Sequence, residues 1–213
     1  MISTIITLII GAIVFIVLSI IFRKSNSLKL KNKSIPLSLV ISIILTVILS
    51  FVPFENAFMS FSSPQKAFSY SYDSEIKAIL DGENSTMIIA DDNNTDQIDI
   101  IPKTKEKDKW KIGMGYNIKS VANLKGNGFY VFIDTYDKSK DYYIYITTMN
   151  MENCEITDNC NSEFQLIPDK PNSYYKNYAA YIKNFNKNYS IFINNEEIKL
   201  SELTPIMENT ELS

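Results

Sequence analysis

The first quarter of the chain contains two long runs without a single charged side chain. Residues 1–22 and 35–54 hold about twenty residues each. At roughly 1.5 Å of rise per residue, a helix of that length crosses a hydrocarbon core of about 30 Å. Inside a bilayer each segment has to satisfy its own backbone hydrogen bonds, so helices are expected despite the many isoleucines and valines. The sequence therefore predicts a transmembrane helical hairpin over 1–54, with helices at about 2–22 and 35–54.

Two other interpretations of these runs fit the sequence less well. A cleaved signal peptide starts with a basic segment and ends at a small-x-small site, and the first run has neither before Arg23. A buried core helix is shorter and less uniformly apolar than the second run. Gly11 and Ala12 mark a point where two helices can approach closely, with contact to lipid as the alternative.

The connection between the runs, 23–34, is basic and sets the expected orientation. It contains five positive residues and no acidic one, namely Arg23, Lys24, Lys29, Lys31 and Lys33. Lys and Arg beside membrane segments stay on the cytoplasmic side, whereas 55–75 holds one lysine against three acidic residues. These topology determinants predict a cell-membrane protein with a cytoplasmic loop, and with the N-terminus and the C-terminal domain outside.

The remainder of the chain, 55–213, is acidic. It holds all 24 acidic residues and sixteen of the 21 basic ones, so its net charge is −8 although the whole chain carries −3. An acidic surface repels phosphate groups, which argues against nucleic acid as a partner and against flat binding to anionic lipid. The expected partners are the bilayer itself and another membrane or cell-envelope protein.

The chain contains no histidine. This excludes histidine-based acid–base and nucleophilic catalysis and imidazole metal sites. The acidic stretch 91–99 does not match a calcium loop, because Gln97 stands where glycine is needed and Lys103 where a bidentate glutamate is needed. The sequence therefore predicts no catalytic residue, no cofactor and no metal site.

After the membrane segments, the pattern predicts a linker with a short helix (55–73), a β-rich domain (74–203) and a frayed tail (204–213). Ser63 and Pro64 are typical of a helix start, and this helix is expected to end near Tyr72. From Glu75 onward apolar residues recur at every second position, the period of strands. The expected strands are 75–80, 85–90, 97–101, 110–112, 129–136, 141–148, 164–167 and 196–200, with a polar loop at 91–96.

Two of these segments are the most informative. The pair 129–136 and 141–148 is apolar or aromatic on both faces, which predicts a central position in its sheet. Residues 174–188 fit either a helical stripe or a hairpin, and their aromatic and β-branched content favours the hairpin.

Cys154 and Cys160 are the two cysteines of the chain and are separated by five residues. In an extracytoplasmic domain a local disulfide is the favoured interpretation, with two thiols as the alternative. The spacing does not match a redox motif, and a zinc site needs more ligands.

The segment 61–70 (FSSPQKAFSY), followed by 76–81, Gly82 and the hairpin to Ala90, resembles small membrane-anchored proteins of AT-rich Gram-positive bacteria. In these, a similar Ser/Thr-Pro-x-x-Ala-Phe segment precedes a small β-rich extracytoplasmic region. The resemblance covers about thirty residues. It implies an origin and a cellular address, and it carries over no catalytic residue.

The predicted fold is thus a membrane-anchored chain with a helical hairpin followed by a mainly-β (α+β) extracytoplasmic domain of antiparallel hairpins. The leading hypothesis is a non-enzymatic binding, sensing or accessory-subunit domain. The alternative is a membrane-tethered envelope hydrolase that uses carboxylates. A hydrolase predicts two carboxylates in one pocket with a raised pKa, whereas a binding module predicts an exposed aromatic patch.

Overall fold

The chain folds as two apolar helices followed by a mostly β domain with antiparallel sheets. The structure is a computed structural model. It describes residues 2–25, 32–51, 54–93, 95–113, 117–137, 139–149, 154–169 and 173–205. Of the predicted topology determinants, Lys29 and Lys31 lie outside the described residues.

The two helices begin and end close to the predicted bounds. Helix α1 spans Ile2–Arg23 and helix α2 spans Ser34–Phe51. Within the described residues, α1 is the helix long and apolar enough to cross a membrane, over Ile5–Arg23. The apolar part of α2, Ser34–Leu49, is shorter. Its length alone therefore does not establish a second span.

Small and hydroxyl side chains face the contact between α1 and α2. Thr7, Ser38 and Ser42 are at most 5% exposed. A Cβ atom on Gly11 would overlap the Thr46 hydroxyl, so the helices approach closely at this glycine. The hydroxyl groups of Ser38 and Thr46 donate to backbone carbonyls one turn earlier, at 2.6 and 2.8 Å, so they do not need water.

The segment after α2 contains a 3-10 turn, Phe54–Ala57, and the short helix α3, Pro64–Ser71. The predicted helix start is confirmed, because the Ser63 side chain accepts a hydrogen bond from the Lys66 amide and Pro64 occupies the first turn. Ala67 and Phe68 of α3 are buried against the β domain.

Asn56 and Lys111 fasten this segment to the β domain. The Asn56 amide donates to the carbonyl of Ile112 at 3.0 Å and accepts from its amide at 2.8 Å. The Lys111 ammonium donates to the carbonyls of Asn56 and Met59 at 2.6 Å each. The predicted strand 110–112 is therefore wrong: Trp110 makes isolated bridges to Phe61 and Lys103, and the next residues bond to the turn.

The first sheet of the β domain has three antiparallel strands in the order β1-β2-β3. Their bounds are β1 Glu75–Asp81, β2 Ser85–Asp92 and β3 Thr95–Pro102. The β1–β2 hairpin is confirmed. The predicted loop 91–96 is wrong, because Asp91 and Asp92 continue β2 and pair with Asp96 and Thr95. Asn93 in the tight turn has a φ of 51°, a conformation that asparagine tolerates.

The central sheet has six strands in the order β12-β4-β5-β6-β9-β8. Their bounds are β4 Ile118–Gly126, β5 Phe129–Tyr136, β6 Tyr142–Met149, β8 Gln165–Ile167, β9 Tyr175–Ile182 and β12 Thr204–Pro205. The central position of the β5–β6 pair is confirmed. Strand β4 is an addition to the predicted strands. The first two residues of the predicted frayed tail form β12 and pair with β4, while 206–213 lie outside the described residues.

The third sheet has the order β11-β10-β7. Its strands are β7 Ile156–Asp158, β10 Ser190–Ile193 and β11 Glu196–Lys199. The predicted hairpin over 174–188 is half right. Tyr175–Ile182 is a strand and not a helix, but β9 pairs with β6 and β8, whereas β10 pairs with β7 and β11.

These elements stack in layers around the central sheet. One face of the central sheet packs against β10 and neighbouring residues through Val131, Ile144 and Ile191. Its other face packs against the first sheet through Tyr143, Ile89 and Ile100. The outer face of the first sheet is covered by α3. Both faces of β6 are therefore largely buried, and β5 is buried on one face and half-buried on the other.

The Asp141 carboxylate joins the first sheet to the central sheet. It is completely buried and accepts hydrogen bonds from the backbone amides of Glu83 and Asn84, at 3.2 and 2.6 Å. The hydroxyls of Ser85 and Tyr181 donate to it at 2.8 and 3.2 Å. Donors from the β1–β2 turn and from β9 thus converge on one side chain, which offsets the cost of burying its charge.

Asp141→Asn should destabilise the fold. Both carboxylate oxygens of Asp141 accept hydrogen bonds, whereas the NH₂ group of asparagine cannot accept any, so some of these donors would lose their acceptor. We expect the free energy of unfolding to fall by about 2–4 kcal/mol. The measurement is urea unfolding of the detergent-solubilised chain, followed by tyrosine fluorescence. Asp137→Asn is the matched control, since it removes the same charge from an exposed carboxylate with a side-chain exposure of 44%. Equal losses in both variants would contradict the role of Asp141.

Candidate functional site

Two surface clefts of the described residues contain carboxylates. The first, about 700 Å³, lies between the β4–β5 turn and the β10–β11 hairpin and includes Glu196 and Glu202. The second, about 570 Å³, lies between β1 and the segment 160–165 and includes Asp81 and Glu163. These clefts are where a carboxylate hydrolase would be expected to hold its acid and base.

The carboxyl groups with a raised pKa lie elsewhere. Burial raises the pKa of Asp99 to about 6, against the hydrogen bond from the Ile100 amide, which lowers it. Burial also raises the pKa of Asp134. Neither residue lines either cleft. Asp99 shares the face of β3 that Ile101 turns toward α3. Among the described residues, the geometry therefore does not favour the hydrolase alternative.

Asp99→Asn should stabilise the chain at neutral pH. A carboxyl with a pKa of about 6 when folded and 3.8 ordinarily binds its proton more tightly in the folded state. Its effect is therefore a penalty that grows from about pH 4 to pH 6 and is complete above that, reaching at most about 3 kcal/mol. We expect a gain of about 1–3 kcal/mol in the free energy of unfolding at pH 7.5, measured by urea titration, and almost none near pH 3.5.

The exposed residue Asp92 provides the comparison for this variant. Asp92→Asn should leave the free energy of unfolding nearly unchanged at both pH values, because a solvated carboxylate has little to gain from losing its charge. If Asp99→Asn changed stability by the same amount at both pH values, the buried-carboxyl explanation would be wrong.

The predicted disulfide between Cys154 and Cys160 is absent; both residues are thiols. Glu155 and Asn159 are hydrogen-bonded to opposite ends of the β10 segment. The chain between them is extended and spans about 13 Å, at roughly 3.3 Å per residue. A disulfide needs Cα atoms within about 7 Å. Cys154 and Cys160 flank the extended strand β7, and burial raises the pKa of both thiols, which makes them poor nucleophiles.

Both thiols should persist in the purified protein and react slowly. We expect iodoacetamide to modify Cys154 and Cys160 much more slowly in the folded chain than in urea, read by mass spectrometry of peptides prepared without reductant. An engineered thiol at an exposed position, Glu197→Cys, should react at once and serves as the control. A peptide pair joined through Cys154 and Cys160 would show that the described register of β7 is wrong.

A third, smaller cavity lies where one end of the first sheet meets the central sheet. Its volume is about 280 Å³, and we call it the Lys77 pocket. It is lined by Lys77, Asp96, Tyr145, Thr147, Asp169, Tyr175 and Asn177. Four separate parts of the chain meet here: the β1–β3 sheet, strand β6, Asp169 after β8, and the residues at the start of β9.

The Asp96 carboxylate is the centre of this pocket. Lys77 donates to it at 2.6 Å, Asn177 donates at 3.2 Å, and the Tyr145 hydroxyl makes a short hydrogen bond to it. The Lys77 ammonium also lies 3.6 Å from Asp91. The side chains of Lys77 and Asp96 are only 16% and 11% exposed. These charged groups are held in fixed positions by one another.

The electrostatics of the pocket follow from this arrangement. Burial alone would lower the pKa of Lys77, but its hydrogen bond to Asp96 and the charges of Asp96, Asp91 and Asp169 raise it above its ordinary value. Burial, the hydrogen bond to Asp96 and the charges of Asp96 and Asp169 raise the pKa of Tyr145. Lys77 is therefore charged at neutral pH. Tyr145 keeps its proton and donates a hydrogen bond to Asp96.

Sequence reasoning did not identify this pocket. Lys77 and Asp96 are separated by 19 residues, and Asn177 lies 81 residues after Asp96. The available signal for a site was the lysine in the mainly apolar strand 75–80. Its partners became evident only when the distant segments that line the pocket came together. The predicted topology residues Arg23, Lys24 and Lys33 are exposed and lie far along the chain from it.

Two tyrosines at the start of β9 are exposed. Tyr175, which lines the Lys77 pocket, is 48% exposed, and its neighbour Tyr174 is 77% exposed. In the part of the chain that the structure describes, no group of three or more metal-ligating side chains is present.

Comparisons with models of protein families, with curated proteins and with solved structures found no match.

Proposed function

We propose that the chain is a two-helix integral protein of the cell membrane that displays a non-enzymatic extracytoplasmic binding domain. The observation that carries this proposal is the apolar outer surface of α1 and α2. Among the described side chains of the two helices, sixteen large aliphatic ones are at least 36% exposed. They are Ile5, Leu8, Ile9, Ile13, Ile16, Val17, Ile20, Ile21, Ile35, Leu39, Val40, Ile41, Ile43, Ile44, Val47 and Ile48.

The size of this surface supports a lipid environment. Full burial of one large aliphatic side chain is worth roughly 1.5–3 kcal/mol. Leaving sixteen of them about half exposed to water would forgo about 12–24 kcal/mol, which is as large as the whole stability of a typical domain. Hydrocarbon around the helices removes this cost.

The inside of the helix pair supports the same environment. Helices in lipid associate through small residues and hydroxyl groups, because large apolar side chains gain nothing by leaving the lipid. Gly11 against Thr46, with Thr7, Ser38 and Ser42 buried beside the contact, fits this pattern. It argues against a cleaved signal peptide, since removing α1 would leave these polar side chains of α2 facing lipid.

The shorter apolar part of α2 is compatible with a second span. A segment shorter than the bilayer core is accommodated by local thinning and by flanking side chains, at a fraction of a kcal/mol per Å. The fastening of 54–59 to the β domain through Asn56 and Lys111 then holds the domain close to the end of α2.

The charge distribution supports the proposed orientation. Arg23, Lys24 and Lys33 flank the helix ends on one side, and the domain of net charge −8 follows the other end of α2. Positive residues are retained on the cytoplasmic side, which leaves the β domain outside. The carboxyl groups with a raised pKa, Asp99 and Asp134, lie outside both described clefts. This fits a binding, sensing or accessory-subunit role better than catalysis by carboxylates.

Labelling of single cysteines on cells tests both the membrane location and the orientation. In a chain carrying Cys154→Ser and Cys160→Ser, a membrane-impermeant maleimide should modify Glu197→Cys on intact cells and leave Lys24→Cys unmodified. In inverted vesicles the pattern should reverse. The opposite pattern would overturn the orientation, and release of the chain from membranes by alkaline carbonate would overturn its integral insertion.

A further inference from the structure

The Lys77 pocket has the chemistry of a receptor for one positive side chain. We propose that it binds a single arginine or lysine side chain from a basic segment of a partner protein at the cell surface. This inference rests on the proposed function, because it names the kind of partner that the displayed domain would take.

The ammonium at the floor of the pocket is already paired with carboxylates and is not available to an anion. The Lys77 ammonium is engaged by Asp96 and Asp91, and Asp96 accepts from Lys77, Tyr145 and Asn177. One ammonium thus faces the carboxylates of Asp91, Asp96 and Asp169. The local charge is negative by two, so an anionic ligand would be repelled and a cation attracted.

The rim of the pocket supplies the contacts that a cation needs. Asp169 is exposed and lines the pocket, and its charge acts on both Lys77 and Tyr145. Tyr175 stands at the same rim with nearly half of its surface exposed. A carboxylate beside an aromatic face is a favourable environment for guanidinium and ammonium groups.

The size of the pocket suits one side chain. Its volume of about 280 Å³ lies at the lower limit of the roughly 300–1,000 Å³ that is usual for small-molecule sites. A bare metal ion does not fit, because the Asp96 carboxylate already accepts three hydrogen bonds and an ammonium lies beside it.

The charge of the whole domain supports a basic protein partner. A domain of net charge −8 attracts positive segments over a distance and speeds their encounter with the surface. The pocket would then hold one residue of such a segment, with Tyr174 and Tyr175 available for contact beside it. Tyrosine is enriched at protein–protein interfaces.

Binding of defined probes to the full chain in nanodiscs of zwitterionic lipid tests the proposal. The probe is a capped glycine pentapeptide with one central arginine, and its control replaces the arginine with citrulline, which has nearly the same shape without the charge. Titration is followed by NMR of ring-labelled tyrosine. We expect saturable shifts of Tyr145 and Tyr175 with the arginine peptide, and at least tenfold weaker binding of the citrulline peptide.

Variants separate the pocket from the general acidity of the domain. Asp169→Asn and Tyr175→Leu change exposed residues, so we expect them to fold with only a small loss of melting temperature and to weaken arginine-peptide binding at least fivefold. Glu197→Gln removes the same charge as Asp169→Asn from an exposed position on β11 and should bind like the unmodified chain.

Several results would overturn the proposal. These are equal binding of the citrulline peptide, equal weakening by Glu197→Gln and Asp169→Asn, and the lack of a saturable shift. Stronger binding of spermidine than of the arginine peptide would identify a free polyamine as the occupant in place of a protein partner. The cysteine-labelling pattern on cells does not depend on this pocket, so loss of the binding site and loss of the proposed display of the domain can be told apart.

Discussion

The β5–β6 pair is apolar on both faces, and the layered arrangement of the domain depends on this constraint. A strand pair of this kind is not suited to the edge of a sheet, and neither of its faces is suited to contact with water. Val131 and Ile144 need cover on one side, and Phe132 and Tyr143 need it on the other. The three-stranded β1–β3 sheet supplies one cover and β10 with its neighbours supplies the second. Helix α3 then covers the outer face of β1–β3.

Two aspartates, the buried Asp141 and the half-buried Asp96, hold the first sheet on the central one at opposite ends of their interface. Asp141 binds the β1–β2 turn, and Asp96 binds Lys77 of β1 and the polar groups of β6 and β9. A buried carboxylate is costly unless several donors meet it, and both have such donors. Gly82 is part of the same arrangement, because a side chain there would overlap the Tyr143 hydroxyl. The polar ends fix how the sheets are placed, while the apolar middle supplies the favourable energy.

The turn between the helices and the domain, Phe54–Ala57, is held firmly against the domain. Asn56 bonds to both backbone groups of Ile112, and Lys111 binds the carbonyls at the end of the 3-10 turn. Tyr70 of α3 donates to the buried carboxylate of Glu55 at 3.4 Å. These contacts fix the segment 54–59 against the β domain.

Much of the local structure was predictable from residue patterns. Uncharged runs give the two helices, Ser63 with Pro64 gives the start of α3, and two-residue alternation gives β5 and β6 with their shared faces. Strand β4 was not predicted, because its mixed, partly exposed residues do not alternate clearly. The prediction of a Cys154–Cys160 disulfide was wrong, because closeness in sequence was taken as closeness in space. The extended strand β7 lies between the two cysteines.

The sequence by itself determined which segments are apolar, where the charges lie and which strand pair must be central, because these depend on side-chain chemistry and local periodicity. Tertiary structure alone decided that β9 and β10 enter different sheets and that Lys77 meets Asp96, Tyr145 and Asn177. Those outcomes depend on which strand edges are free and which faces need cover. Such competition among distant segments is settled only when the whole domain packs.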